Sequence, residues 1–559
     1  MSKPSDARQL LEKHFDTAFA APDGIKKLRE LILTLAMQGK LVPQDANDQP
    51  ARELLKEIEA EKKRLVKAGK IKAQNPLPEI KPEEVPYSLP PRWTWVRLGD
   101  LVYIEMGQSP ASYSYNQEGN GLPFFQGKAD FGKLHPTPRN WCTQPQKYAY
   151  PNDVLLSVRA PVGPTNISNL ECCIGRGLAA LRPLAGVSAF FINCLIISFR
   201  SILESFATGT TFAAVSKSDV ENLVIPVPPL AEQRRIVAKV DQLIACCDEL
   251  EKLRAEHGQK RIAVHTVVLN RLLTATEGET FSATWAFITQ NFGELYSVKE
   301  SVAELRKAIL QLAVMGKLVP QNVNDQPARE LLKEIEAEKK RLVKEGKIKA
   351  SAPLLEIKPE EVPYELSKGW EWVRLGSISS KIHYGYTASA NHSLKDIRLL
   401  RITDIQDNKV DWISVPGCDI KEKDVDQYLL ANKDILIART GGTVGKSYLV
   451  KNIDVKAVFA SYLIRVVPSA HIDVNYLKYF IEGPLYWEQL YAKCSGTGQP
   501  NVNGTSLSTL LLSLPPLAEQ RRIVAKIDQL MALCDELEKQ IDAATRNQTA
   551  LLNAVMAQR

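Results

Sequence analysis

The sequence is poor in the residue patterns that mark metal sites, disulfide frameworks and membrane segments. Its 559 residues include only seven histidines, which share no ligand spacing, and nine cysteines, an odd number with no C-x-x-C pair. These cysteines suit neither a disulfide framework nor a zinc site, so reduced thiols and a cytoplasmic location are expected. The N-terminus has no apolar signal segment, and the most apolar run, residues 187–199, is too short to span a bilayer.

Catalytic motifs are missing as well. There is no G-x-S-x-G, no H-E-x-x-H, no G-x-G-x-x-G opening a helix and no Asn-Pro-Pro-aromatic motif of amino-group DNA methyltransferases. Residues 441–447 (GGTVGKS) approach a phosphate-binding loop, but Thr440 stands where its first glycine should be. The residues that follow are predicted to form a strand and not the helix that would hold a phosphate. A strand–turn–strand with exposed Arg439 and Lys446 is expected instead. A non-catalytic chain without a metal site is therefore expected.

Composition is that of an ordinary globular protein of three to four domains. Hydrophobic residues make up 45% and charged residues 24% of the chain, and the formal net charge is +7. This mild basicity is compatible with nucleic acid as a partner but is weak evidence for it.

The chain is built from two copies of one scaffold. Residues 228–251 (PPLAEQRRIVAKVDQLIACCDELE) return at 515–538 with three differences, and residues 35–73 return at 312–350 with five. Between these repeats lie two stretches that do not align with each other. We therefore divide the chain into 1–92 (helical region, charged arm and Pro-rich linker), 93–227 (first insert), 228–369 (central helical region), 370–514 (second insert) and 515–559 (C-terminal helix).

The 228–251 repeat is predicted to form a helix with a coiled-coil seam. Two prolines open each copy, and Glu232 and Glu519 fall in the first turn, where the helix dipole favours negative charge. The apolar residues then follow at spacings of four and three, and the two seams are expected to pack against each other. The seam residues are Ile236, Val240, Leu243, Cys247 and Leu250 in the first copy, and Ile523, Ile527, Leu530, Cys534 and Leu537 in the second.

Two other scaffold helices are predicted over residues 25–37 and 298–315, and each ends before a glycine. A third, strongly charged helix is predicted to begin after Pro50. The inserts instead show short β-branched and aromatic runs between Gly, Pro, Asn and Asp, which indicate strands at 154–158, 178–181, 435–438 and 462–467. Helices are expected at 188–206 and 474–493. Each insert is thus predicted to be one mixed α/β domain. The charged runs of the scaffold that follow Pro50 are interpreted as solvated helical arms, or as surfaces that contact a partner subunit or a DNA backbone.

Polar, basic and aromatic side chains interleave in the inserts, and such residues can hold phosphates or read base edges. Each one alone is better explained as structure, but together they favour recognition. The candidates are Gln126, Lys128, Arg159, Arg176 and Thr210 in the first insert, and Tyr384, Tyr386, Arg401, Thr403, Asp404, Arg439 and Lys446 in the second.

Unlike inserts on a repeated frame are expected to bind two unlike half-sites, since identical inserts would bind identical ones. A helix from Pro229 to about Arg254 would rise ~39 Å. That length is close to one turn of B-DNA, about 34–36 Å.

The order of parts resembles the DNA-specificity subunit of type I restriction–modification enzymes, in a type IB-like form. The resemblance is carried by WTWVRLG at 93–99 and WEWVRLG at 370–376, by the Gly-Thr pairs at 209–210 and 496–497, and by the two PPLAEQRRIVAK helices. It covers nearly the whole chain.

This resemblance implies two target-recognition domains held apart by two antiparallel long helices in a pseudo-twofold, quasi-circular repeat. It implies double-stranded DNA as a partner, together with two methyltransferase and two restriction subunits, and no membrane. S-adenosylmethionine, ATP and Mg²⁺ would be held by those subunits and no cofactor by this chain. The rival hypothesis is a non-catalytic coiled-coil adaptor with protein-binding inserts.

Overall fold

The structure is a computed structural model that describes residues 15–207, 213–275, 278–350, 352–494 and 500–557. It divides into two units, of which unit 1 comprises Met1–His257 with Thr545–Arg559 and unit 2 comprises Gly258–Ala544. Among the described helices, none combines the length and the apolar character that crossing a membrane requires.

Unit 1 combines a helical scaffold with the strand-rich first insert. Its helices are α1 (Gly24–Met37), α2 (Ala51–Lys67), α3 (Leu98–Leu101), α4 (Ala189–Ser198), α5 (Arg200–Ser205), α6 (Lys217–Glu221) and the first part of α7 (Leu230–Thr274). Its strands are β1 (Thr94–Arg97), β2 (Val102–Met106), β3 (Tyr115–Asn116), β4 (Leu122–Phe125), β5 (Asn140–Cys142), β6 (Tyr148–Ala149), β7 (Val154–Ser157), β8 (Thr165–Ile167), β9 (Cys172–Ile174), β10 (Leu178–Pro183) and β11 (Val224–Val227).

Unit 2 has the same plan. Its helices after α7 are α8 (Gly278–Gln290), α9 (Phe292–Leu295), α10 (Lys299–Val314), α11 (Ala328–Lys344), α12 (Leu375–Ile378), α13 (Glu422–Tyr428), α14 (Val474–Glu482), α15 (Pro484–Lys493), α16 (Gly504–Ser508) and most of α17 (Leu517–Ala557). Its strands are β12 (Glu371–Arg374), β13 (Ser379–Tyr384), β14 (Arg398–Leu400), β15 (Ile405–Gln406), β16 (Lys409–Val410), β17 (Ile435–Ala438), β18 (Ser447–Leu449), β19 (Ala457–Phe459), β20 (Leu463–Pro468) and β21 (Leu511–Leu514).

Both inserts contain the same central sheet. In unit 1 the strand order is β2-β10-β7-β8, and in unit 2 it is β13-β20-β17-β18, with antiparallel neighbours in each. A parallel pair accompanies each sheet, β4 with β9 and β14 with β19. In the first insert this pair belongs to a five-stranded sheet, whereas in the second it stands as two strands. The predicted mixed α/β fold is confirmed, and the unequal second layers explain why the inserts resist alignment.

Most predicted elements are found where the sequence places them. Helix α1 ends before Gly39, whose φ of +69° is the left-handed geometry that glycine accepts readily. The two predicted insert helices are each broken. The first is interrupted at Phe199 and the second at Gly483, because Pro484 cannot continue the hydrogen bonding of α14 and starts α15 instead.

Helix α7 is much longer than the sequence predicted. It does not end near Arg254 but continues to Thr274, 45 residues in all, and so rises ~68 Å. The predicted match between this helix and one turn of DNA is therefore wrong.

The coiled-coil seams are covered within their own units. Ile236, Val240 and Cys247 are buried in a core that also contains α1, with Leu243 and Leu250 packed against it. In unit 2, Ile523, Ile527 and Cys534 are buried in a core with α10, and Leu530 and Leu537 pack against it. Helix α1 therefore covers the seam of α7, and α10 covers the seam of α17. The sequence had assigned this packing to the two long helices themselves.

The same cores place residues 256–298, which lie between the repeated segments 228–251 and 312–350. Leu269 and Leu272 of α7 are buried with Tyr296 in unit 2. In unit 1, Leu552 and Met556 of α17 are buried with Phe19. The segment is therefore the counterpart of the N-terminal and C-terminal ends of the chain.

A buried hydrogen bond joins the start of each insert to the long helix that follows the insert. Trp93 Nε1 donates to Glu232 Oε2 at 2.9 Å, and Trp370 Nε1 donates to Glu519 Oε2 at 3.0 Å. Both glutamates are about 1% exposed, and this burial raises their pKa values above the ordinary range. Their place in the first helical turn is as predicted, but they also act as buried acceptors that connect the start of each insert to the helix that follows it.

Candidate nucleic-acid interface

The polar loops of the first insert meet at one edge of its sheets. Strands β2 and β7 end there, and β10 and β8 begin there, because neighbouring strands are antiparallel. Backbone hydrogen bonds tie the loops together: Gly107 donates to Leu178 at 2.9 Å and Gly175 donates to Phe125 at 2.8 Å. We call this region the first loop edge and define it as residues 107–110, 126–130, 158–163 and 175–177.

Four predicted contact residues lie on the first loop edge, and all four are exposed. They are Gln126, Lys128, Arg159 and Arg176. A Cβ atom at Gly177 would lie 2.2 Å from the carbonyl oxygen of Gln126, so the 175–177 loop can approach Gln126 only with glycine there. The amide of Val158 donates to the carbonyl of Gly177 at 3.0 Å, which brings Arg159 to the same loop.

Asp130 fixes the turn that presents Gln126. Its buried carboxylate accepts a hydrogen bond from the amide of Gln126 at 2.7 Å and a longer one from Gly127 at 3.4 Å. Lys128 begins the 3₁₀ turn that ends at Asp130. The turn that carries Gln126 is thus held by hydrogen bonds to Asp130, and Gln126 is exposed on it.

The second insert repeats these connections. Gly385 donates to Leu463 at 3.2 Å, Ala460 donates to Leu400 at 2.9 Å, and Arg439 donates to Tyr462 at 3.0 Å. We call residues 384–386, 401–404, 439–446 and 460–462 the second loop edge. The shared hydrogen bonds give an alignment that sequence could not: Arg401 corresponds to Gln126, Arg439 to Val158 and Tyr462 to Gly177.

Tyr384 and Arg439 pack against each other on the second loop edge. The guanidinium carbon of Arg439 lies 4.7 Å from the centre of the Tyr384 ring, and the Tyr384 hydroxyl accepts a hydrogen bond from the amide of Gly504 at 3.0 Å. Tyr386 is joined to the same loops by a backbone bond to Phe459 at 2.8 Å. Thr403 and Lys446 are exposed, and Ser447 after the lysine begins a strand as predicted.

Arg401 and Asp404, both predicted to contact DNA, bind each other. Arg401 Nε lies 3.0 Å from Asp404 Oδ2 and Nη2 lies 2.7 Å from Oδ1, and the hydrogen bonds to this carboxylate raise the pKa of Arg401. Asp404 also accepts from the Arg401 amide at 2.8 Å, as Asp130 does from Gln126. Asp404 therefore positions the turn, and two of the hydrogen-bond donors of Arg401 are already used by Asp404.

The two arginines that follow the buried strands β7 and β17 are not equivalent. Arg159 pairs with Ala214 in an isolated bridge, whereas the residue that pairs with Asn501 in the second insert is Thr440. Arg439 is one position earlier and points to the opposite side of the strand. It is half-buried, and the sequence-based description of it as exposed is wrong.

Sequence reasoning missed Tyr462, which is 64% exposed on the second loop edge. It was assigned to the predicted strand at 462–467, but β20 begins one residue later, at Leu463. Thr210 of the first insert, with Gly209 and the Gly-Thr pair at 496–497, lies outside the described residues.

His383, which lies next to the second loop edge, is expected to make unit 2 sensitive to acid. Burial, with nearby Lys381 and Arg465, lowers its pKa to about 4. The folded state then binds fewer protons than the unfolded state, so stability is full above pH 6.5 and is lost as pH falls toward 4. We expect a loss of about 2 kcal/mol in this window, less than the full linkage value because the ring is partly solvated.

The measurement is urea denaturation of the wild type and of His383→Gln at several pH values, with hydrogen exchange reporting on unit 2. The variant should lose the part of the pH dependence between 6.5 and 4 that His383 contributes. Equal slopes for both proteins would show that His383 is not the group that titrates.

Comparison with known proteins identifies the family. A family described as "Type I restriction modification DNA specificity domain" matches residues 90–257 and 367–545. The chain belongs to this family. It is 36% identical to the type I restriction enzyme EcoAI specificity subunit of Escherichia coli over 95% of this chain and 93% of that protein. The EcoEI specificity subunit, also of Escherichia coli, is 34% identical over the same shares.

Solved structures that are similar to this chain include that of the HsdS subunit from Thermoanaerobacter tengcongensis. It is 42% identical over 43% of this chain and 53% of that one, with a TM-score of 0.29. As a member of the family matched above, the specificity subunit described here recognises DNA for a type I restriction–modification enzyme and is itself non-catalytic. Its two inserts lie within the two matched segments.

Proposed function

We propose that the two loop edges read the two unlike halves of a bipartite, asymmetric DNA target. One observation carries this proposal. Both loop edges are formed at the same strand ends and by equivalent backbone hydrogen bonds, but they expose different side chains. The first edge presents Gln126, Arg159 and Arg176, and the second presents Arg401, Tyr384 and Tyr462 at or near equivalent positions. Glutamine suits adenine and arginine suits guanine in the major groove, so unlike edges favour unlike sequences.

The inserts at 93–227 and 370–514 are the target-recognition domains of this proposal. The subunit directs two methyltransferase and two restriction subunits to double-stranded DNA. S-adenosylmethionine, ATP and Mg²⁺ belong to those subunits, and this chain holds no cofactor. A cytoplasmic location is supported by nine free thiols and by the DNA partner.

The test is to co-express the chain with its methyltransferase subunit in a host without adenine methylation and to map N6-methyladenine across the genome. One split motif, with unlike halves at a fixed separation, is expected. A continuous or palindromic motif would overturn the proposal. Absence of methylation by an assembled complex would instead favour the adaptor hypothesis.

Gln126→Ala and Arg401→Ala are a matched pair for assigning each domain to its half-site, because the two residues occupy equivalent positions. Each change should weaken discrimination at one base pair of one half-site by about 10- to 100-fold, corresponding to about 1–3 kcal/mol. Methylation rates on targets mutated in either half measure this effect. Equal losses in both halves from either variant would contradict the assignment.

A further inference from the structure

The turn that joins β7 to β8 in the first insert has the same backbone as the turn that joins β17 to β18 in the second. The amides of Gly163 and Gly445 donate to the last residue of the preceding strand, at 3.0 Å and 2.8 Å. The amide of that strand residue donates in turn to the carbonyl of Pro164 or of Lys446, at 2.8 Å in both inserts. Gly163 is therefore the equivalent of Gly445, and Pro164 is the equivalent of Lys446.

A helix packs against each of these two glycines. A Cβ atom on Gly163 would lie 2.6 Å from Cγ of Arg200, which begins α5. A Cβ atom on Gly445 would lie 2.7 Å from Cζ3 of Trp487, which belongs to α15. Arg200 and Trp487 therefore occupy equivalent places beside the two loop edges, although neither residue is part of the loops themselves.

The basic side chain beside this turn is carried by different elements in the two inserts. In the first insert the helix supplies it as Arg200, and the turn position is Pro164. In the second insert the turn supplies it as Lys446, and the helix position is Trp487. Each loop edge thus has a basic side chain beside the turn glycine, although neither position keeps its residue type.

Packing does not require this positive charge. Trp487 fills the helix position of the second insert with an uncharged ring, which lies 5.6 Å from the ring of Tyr491. In the first insert the Arg200 side chain is 45% exposed, and its ion pair with Glu204 at 2.8 Å is equally open to solvent. Exposed ion pairs of this kind contribute little to stability. Both Arg200 and the exposed Lys446 are therefore available to a ligand.

We propose that Arg200 and Lys446 are equivalent contacts to the DNA backbone, one beside each half-site. This inference rests on the function proposed above, in which each loop edge faces one half of the target. Phosphates are chemically the same in both halves, and they accept lysine or arginine because the contact depends on positive charge. A base edge instead requires a particular side chain, which differs between unlike half-sites. Conservation of the charge alone is therefore typical of a phosphate contact.

Such contacts would fix the position of each domain on the duplex without reading its sequence. Arg200 is thus a positioning residue of the first domain, while side chains such as Gln126 face the bases. Its loss should weaken binding to all target sequences alike, and it should make binding less sensitive to salt. A residue that only stabilises the fold would not change the salt dependence.

Neutralising each charge tests the proposal on the complex of this chain with its methyltransferase subunit, bound to duplex DNA that carries the target. The variants are Lys446→Gln and Arg200→Gln, which keeps part of the aliphatic stem against Gly163. Each should lower the slope of log affinity against log salt concentration by about 0.9, the value for one phosphate contact. Between about 50 and about 200 mM salt, the affinity of each variant should therefore fall about 3.5-fold less than that of the wild type.

Moving the charge from the helix to the turn separates its effect from that of the arginine stem. Pro164→Lys places a lysine on the turn of the first insert, where the second insert has Lys446. Combined with Arg200→Gln, it should restore the salt slope and the affinity of the wild type. The proline carbonyl is the group that binds the strand before the turn, and the lysine backbone supplies the same carbonyl in the second insert.

Lys63→Gln is the matched control. Lys63 also forms an exposed i,i+4 ion pair, with Glu59 at 2.6 Å. It belongs to α2, whose Glu61 accepts a hydrogen bond from the amide of Ala185 at 2.6 Å, just beyond the end of β10. Because β10 begins at the first loop edge, α2 lies at the opposite end of the sheet. Lys63→Gln should leave both the salt slope and the affinity unchanged.

Three results would overturn the inference. They are unchanged salt slopes in Arg200→Gln and Lys446→Gln, no recovery of affinity in a folded Pro164→Lys, Arg200→Gln variant, and a relaxed motif in the methylation map of either single variant. Circular dichroism and hydrogen exchange verify that each variant is folded. The wild-type methylation map separates the two failures. A split motif with unchanged slopes refutes only the backbone contacts, whereas a continuous motif refutes the proposed function on which they rest.

Discussion

Replacing Arg97 with methionine is expected to lower the free energy of unfolding of unit 1 by about 3–5 kcal/mol, the cost of breaking a buried charge network. The Arg97 side chain is about 5% exposed and forms an ion pair with Glu84 at 3.0 Å. Its guanidinium also donates to the carbonyls of Pro78 at 2.7 Å, Asn222 at 2.8 Å and Glu79 at 3.2 Å. Methionine fills a similar volume but leaves these acceptors without a donor.

Unit 2 contains the same network and supplies the control. Arg374 donates to Leu355 at 2.8 Å and Thr509 at 2.9 Å, and pairs with Glu361 at 2.9 Å. Arg374→Met should destabilise unit 2 by a similar amount and leave unit 1 unchanged. Urea denaturation gives the magnitude, and hydrogen exchange of the β1–β11 and β12–β21 strands shows which unit has changed. Unchanged exchange in unit 1 of Arg97→Met would disprove the role of this network.

Arg97 also shows what the sequence could reveal and what it could not. The WTWVRLG motif was recognisable as the start of an insert, because it recurs with the repeat. Its partners, however, are 13 to 125 residues away along the chain. Local periodicity carries no information about such contacts, so neither the arginine network nor the bond from Trp93 to Glu232 was predicted.

The buried strands were predicted well. A short apolar run such as 435–438, bounded by turn residues, indicates a strand because it is too short for a helix. Their ends were predicted less well. A shift of one residue moves a side chain to the other face of a strand. This is why Arg159 and Arg439 are not equivalent although both follow a buried strand, and why Tyr462 was overlooked. Loop edges are built from such ends, so candidate contacts are less predictable than the core.

Helix α7 was predicted too short for a different reason. Beyond Arg254 the sequence contains Gly258 and several β-branched residues, which lower intrinsic helix propensity. Packing of Leu269 and Leu272 in the core of unit 2 stabilises the helix there. Tertiary contacts of this kind override local preference.

The paired units also predict a stabilising change in the core of unit 2. His265 and Tyr296 lie with their rings 5.2 Å apart and are 2% and 1% exposed. Among the described residues, the two imidazole nitrogens of His265 have no hydrogen-bond partner. The hydroxyl of Tyr296 has none either. The repeat places Leu552 and Phe19 at the equivalent positions of unit 1, where they pack in an apolar core. The fold itself thus accepts apolar residues here.

The double variant His265→Leu, Tyr296→Phe should therefore raise the free energy of unfolding of unit 2 by about 2–4 kcal/mol, because each unpartnered buried polar group costs about 1–3 kcal/mol. Burial lowers the pKa of His265, with Glu304 acting in the opposite direction. Part of the acid sensitivity of unit 2 below pH 6.5 should accordingly disappear in the variant. Denaturation at pH 7 and pH 5 measures both effects.

The reciprocal change in unit 1, Leu552→His with Phe19→Tyr, should destabilise that unit by a comparable amount and make it acid-sensitive. The two experiments together test whether these side chains are interchangeable between the repeats. If the double variant of unit 2 is instead less stable than the wild type, His265 and Tyr296 must have hydrogen-bond partners in solution. In that case the polar pair contributes to the stability of unit 2 and does not diminish it.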